Sequence, residues 1–175
     1  FMRLPGRRYF SRGLVQAATP REFRFFRREL ARLEAETFVR ELSFPALGLN
    51  QWREFSATGI ADRIERLMLQ QLGLDEFRFL AKSPFVSHLK LLSIPAAGSG
   101  GRGRLEAREL DALLQKLVRV THLGLGHVYL GPQGIQVLTG WKGLSHVTAL
   151  SIDLNQELAE QLVQSGQLGN LRSLE

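Results

Sequence analysis

Cysteine is absent from the 175 residues. Its absence excludes thiolate zinc sites, a disulfide framework and a cysteine nucleophile, and it fits a reducing, cytoplasmic compartment. Long apolar runs are missing too. No stretch approaches the roughly 18 to 20 apolar residues of a membrane span, and no apolar segment follows the arginine-rich N-terminus as a signal peptide requires. Aromatic side chains make up only 9% of the chain, with two Trp and two Tyr. What is present is ordinary globular material, 44% apolar and 23% charged. A chain near this size buries roughly 70% of its unfolded surface, so one domain over residues 1–175 needs no covalent or metal staple. The chain begins at Phe1 and stops at Leu-Arg-Ser-Leu-Glu, and the expectation is a segment of a longer protein.

Charge is unevenly placed. Residues 1–40 hold ten Arg and four Glu, which accounts for the whole net charge of +6 and leaves the remainder neutral. Such asymmetry can attract a polyanion, an acidic protein or an anionic surface, and says nothing about fold.

A repeat runs through the chain. An apolar-x-x-apolar-x-apolar string occurs as Val39-Arg-Glu-Leu42-Ser-Phe44, Ile64-Glu-Arg-Leu67-Met-Leu69 and Leu89-Lys-Leu-Leu92-Ser-Ile94. It returns as Val120-Thr-His-Leu123-Gly-Leu125, Val147-Thr-Ala-Leu150-Ser-Ile152 and a clipped Leu171-Arg-Ser-Leu174. Successive strings are offset by 25, 25, 31, 27 and 24 residues. The last two apolar residues of each string stand two apart, as on one face of a strand. Between strings the period changes to that of a helix. Leu110, Leu113, Leu114, Leu117 and Val118 form one stripe within 105–118. Ile135, Leu138, Trp141 and Leu144 form another after Gly131-Pro132, made ragged by Gly140 and Gly143. Leu158, Leu162 and Val163 form a third that ends near Gly166, and Phe77, Leu80 and Ala81 form a short one stopped by Ser83-Pro84. Phe44 to Asn50 reads as a turn, and the glycine-rich Ala96 to Arg104 as an inserted loop. Each strand-helix unit leaves faces it cannot bury alone, so parallel neighbours must stack.

The string resembles the leucine-rich repeat, Leu-x-x-Leu-x-Leu-x-x-Asn-x-Leu, over essentially Leu14 to Glu175. The resemblance implies an α/β solenoid bent into an arc, with parallel strands on its concave face and helices on its convex face. Residues 39–175 supply about five repeats plus a clipped sixth. At the ninth position, where the consensus asparagine binds backbone across the turn, this chain has Leu47, Leu72, Ala97, Val128 and Asn155. Arg12-Gly-Leu-Val-Gln, Val39-Arg-Glu-Leu and Leu80-Ala-Lys-Ser-Pro resemble bacterial leucine-rich repeat proteins of the repeat-companion-domain type.

Residues 1–38 read as a basic strand-helix cap. A short strand at Leu14 to Ala17 precedes Thr19-Pro-Arg-Glu22, which fits a capping box with Pro20 in the first helical position. The helix is expected to reach about Glu34, with Phe23, Phe26, Leu30 and Leu33 on its apolar side. Arg21, Arg24, Arg28 and Arg32 line another side and make an alternative anion-binding site for nucleic acid or an anionic membrane.

Catalytic constellations are poor. The histidines are His88, His122, His127 and His146. The first and last share a repeat position, and no carboxylate stands at a spacing that completes a metal shell. Carboxylates are scattered over helix faces, where solvation is the expected role. Neither a nucleophile elbow nor a phosphate loop is present. The expectation is no enzyme, no metal and no cofactor. Recognition then falls to surface. Alternation puts Glu41, Ser43, Arg66, Met68, Gln70, Leu91, Ser93, His122, Gly124, Ala149, Ser151, Asp153 and Ser173 on the concave sheet. Glu41, Ser43, Arg66, Met68, Gln70, His122, Ser151 and Asp153 are the candidate protein-binding residues, for a partner that is another protein or another part of the parent chain. An accessory domain of a larger enzyme is a further alternative.

Overall fold

The computed structural model describes residues 6–11, 14–20, 31, 34–35, 39–44, 47–70, 72–94, 107–126, 130–153 and 155–174. Among the described residues, eight strands form one sheet in sequence order. They are β1 (Gly6–Ser11), β2 (Leu14–Pro20), β3 (Glu41–Phe44), β4 (Arg66–Leu69), β5 (Leu91–Ser93), β6 (His122–Leu125), β7 (Ala149–Ile152) and β8 (Ser173–Leu174). β1 and β2 pair antiparallel, and every later pair is parallel. Among the described residues, five complete α-helices alternate with the strands from β3 to β8: α1 (Leu49–Ser56), α2 (Leu74–Lys82), α3 (Ala107–Leu114), α4 (Pro132–Gly140) and α5 (Gln156–Gln164). The 3₁₀ turns Pro84–His88 and Lys142–His146 lead into β5 and β7.

The strings fall where their spacing puts them. Leu42, Leu67, Leu92, Leu123, Leu150 and Leu174 are matched in register across β3 to β8. The first five are buried, as are Phe44, Leu69, Ile94, Leu125 and Ile152. Each fully buried side chain of this kind contributes about 1.5–3 kcal/mol through apolar area removed from water. The carbonyl just before each strand accepts two N–H groups from the next unit. Arg40 O takes Glu65 and Arg66, Glu65 O takes Lys90 and Leu91, and Lys90 O takes Thr121 and His122. Thr121 O then takes Thr148 and Ala149, and Thr148 O takes Arg172 and Ser173, all five pairs at 2.7–3.2 Å. Two donors per carbonyl pin the units to one register despite unequal lengths between them.

Local chemistry sets the helix ends. α2 stops at Lys82 because Ser83 precedes proline and is extended, with φ −75° and ψ 130°. α4 starts with Pro132 after the Gly131 N-cap, where the missing N–H costs nothing. Gly166, just past α5, has φ +69°, a left-handed conformation that a Cβ would strain. Leu47 and Leu72, in the position of the consensus asparagine, instead pack on the core.

Four expectations are corrected. The N-terminal cap holds a hairpin, not a single strand: β1 pairs with β2, and Gly6 stands opposite Pro20. Pro20 therefore closes a strand and does not open a helix; its fixed φ suits either, and it lies beyond the Ala17–Glu41 and Ala18–Leu42 pairs where β3 would need its N–H. Ala31, Glu34 and Ala35 are helical, and Glu34 is tied to the next unit, its Oε1 accepting from Gly59 N–H at 3.0 Å. The segment read as a turn gives way to α1 at Leu49, whose Trp52 and Phe55 enter the core. Val118 and Val163 do not belong to the buried stripes; they are 71% and 64% exposed, Val118 because α3 ends at Leu114. Glu109, on a helix face where solvation was expected, is buried. Its Oε1 accepts from Arg78 Nε at 2.8 Å across α2 and α3. That hydrogen bond, against the opposing effect of burial, raises the guanidinium above its ordinary pKa. A raised value means the stabilisation is complete below the unfolded pKa and is lost only in strong alkali, so it holds throughout neutral pH.

An aromatic cluster fills the core beneath β3 and β4. Phe44 meets Phe55 edge-on at 5.4 Å between centroids, Phe85 does the same at 5.4 Å, and Trp52 lies nearly parallel to Phe85 at 6.5 Å. Such pairs contribute about 0.5–1.5 kcal/mol beyond their area. Among the described residues, the buried Trp52 Nε1 has no hydrogen-bond partner.

Candidate functional site

The same alternation that buries the leucines sends their neighbours to the opposite sheet face. Two rows result. One runs Glu41, Arg66, Leu91, His122, Ala149, Ser173, and the other Ser43, Met68, Ser93, Gly124, Ser151. Six of the eight candidate residues lie in these rows; Gln70 and Asp153 sit exposed just past β4 and β7.

The face divides into two parts. On β3 and β4 it is charged and self-paired: Arg66 Nε stands 3.2 Å from Glu41 Oε2. One position earlier in the units, Lys90 Nζ stands 2.8 Å from Glu65 Oε2. Arg66, a candidate protein-binding residue, is thus bound to a neighbour that is itself a candidate residue. Ser43 and Met68 are half-buried beside each other.

Among the described residues of β5 to β8 the face carries no Asp, Glu, Lys or Arg, and apart from Leu91 and His122 its side chains are small. A depression of about 210 Å³ opens there, lined by Leu91, Ser93, His122, Gly124, Ala149, Ser151, Ser173 and the backbone rows between them. Of the eight candidates, His122 and Ser151 are the two that line it. One part of its lining lacks a side chain: a Cβ on Gly124 would sit 2.8 Å from Ser93 Oγ and 3.3 Å from Ser93 Cα. The depression itself was not foreseen, although Ser93, Gly124 and Ser151 at one repeat position were the signal for it.

One polar group on its wall has a close neighbour. Thr121 Oγ1 donates to Lys90 O at 3.2 Å and lies 2.9 Å from His122 Nδ1. Thr148, one unit on and followed by Ala149, donates to Thr121 O at 3.1 Å in the same way. Thr121 Oγ1 and His122 Nδ1 are thus within hydrogen-bond distance, and the tautomer of the ring decides which of the two donates.

The Arg21, Arg24, Arg28 and Arg32 stripe lies outside the described residues, as do His127 and the loop 96–104. His88 and His146 end their 3₁₀ turns, exposed. Among the described residues, no group of three His, Cys, Asp or Glu side chains stands where it could hold a metal ion, and no helix is long and apolar enough to cross a membrane.

Fold and face together define an α/β protein in which strand-helix units share one largely parallel sheet, with a depression on the sheet face turned away from the buried leucines. No protein-family model matches the chain, and no curated protein matches it.

Proposed function

We propose that the chain is a leucine-rich-repeat solenoid and a non-catalytic binding module that holds another protein, or another part of its own parent chain, on the concave sheet face over β5 to β8. The observation that carries this reading is the depression lined by Ser93, His122, Gly124, Ala149 and Ser151. At about 210 Å³ it falls below the roughly 300–1,000 Å³ of pockets that enclose a small-molecule ligand. It is large enough for one anchoring side chain, and a few such anchors carry most of the energy of a protein interface. Small residues around it let a partner's backbone approach the sheet.

A random-peptide display selection on the whole chain tests this. Enriched peptides are expected to lose at least about tenfold in affinity for Ser151→Arg, which puts an unpaired charge into a desolvated centre. They are expected to lose affinity also when Arg66→Glu and His122→Glu are combined. Binding that survives both variants removes the sheet face as the site. Raising salt from about 50 to 200 mM is expected to change affinity less than tenfold; a loss near 10³ would instead indicate phosphate-type contacts with the N-terminal arginines.

A further inference from the structure

We draw no further inference here: the strongest candidate, the outer edge of the sheet at β8, where Leu174 is 49% exposed, carries nothing because nothing in the structure shows what covers it.

Discussion

Strands β3 and β4 and strands β6 and β7 are bonded in the same way, carbonyl by carbonyl, yet the two halves of the sheet are finished differently on both sides. Under the first lie Phe44, Trp52, Phe55 and Phe85; under the second lie Leu123, Leu125, Leu138, Leu150 and Ile152. Over the first stand Glu41 and Arg66, joined to each other. Over the second stand His122, Gly124, Ala149 and Ser151 around an open depression. One backbone pattern thus supports a half whose face carries charges paired with one another and a half whose face opens into a shallow depression. Repetition fixes where side chains project, and the identity of those side chains decides whether a face is closed or available.

The sharpest way to break this contrast is in the core. Phe85→Ala removes a ring that contacts both Trp52 and Phe55, and the expected loss is about 3–5 kcal/mol, from lost transfer energy plus a cavity. Chemical denaturation measures it. A loss below about 1 kcal/mol would mean that the aromatic cluster does not anchor its half. Next in size is Gly124→Ala, which drives a Cβ to 2.8 Å from Ser93 Oγ and 3.3 Å from Ser93 Cα. Overpacking of that kind costs about 1–3 kcal/mol, and adding Ser93→Ala should recover part by removing the closest atom. No recovery would show that the backbone contact dominates.

How much of this was legible beforehand follows from what repetition encodes. Leu42, Leu67, Leu92, Leu123 and Leu150 could be assigned to one buried row because five strings at a common period repeat the same two-residue offset, a signal no single strand carries. The two outward rows then followed from alternation alone. Features outside the repeat were harder to read. β1, with Arg7 and Arg8 beside Tyr9 and Phe10, has no periodic partner to mark it, and Pro20 suits a strand end as well as a helix start. α1 was missed because its apolar pair, Trp52 and Phe55, follows Pro45 and Gly48, which read as punctuation. Val118 and Val163 continue a helical spacing past the point where their segments are buried. In the site, the row positions were readable, but pairing was not: that Arg66 reaches Glu41, or that Thr121 meets His122, depends on rotamers that residue spacing does not specify.

The charged half offers a smaller and more specific measurement. A double-mutant cycle of Glu41→Ala and Arg66→Ala is expected to give a coupling of about 0.2–1 kcal/mol, the usual worth of an ion pair open to water. It should shrink as salt is raised, because exposed charges are screened. A coupling of zero would mean the two side chains are independently solvated and Arg66 is free to engage a partner, which would extend the available surface across β4.

The smallest expected stability effect belongs to the open half, and it discriminates best. Ser151 is half-buried, and its hydroxyl faces the depression and not the core. Ser151→Arg therefore removes no core contact, and its long side chain can reach water from the rim of the face. The change in unfolding free energy should stay within about 0.5 kcal/mol, while peptide binding falls at least about tenfold. Those two outcomes separate a surface kept small for recognition from one kept small for packing. If the strands carried small residues because neighbouring units press on them, as Ser93 and Gly124 do on each other, arginine at 151 would destabilise the chain by an amount comparable to Gly124→Ala. A stability loss of that size, seen in the same denaturation experiment, would close the open half and leave the contrast between the two regions without functional meaning.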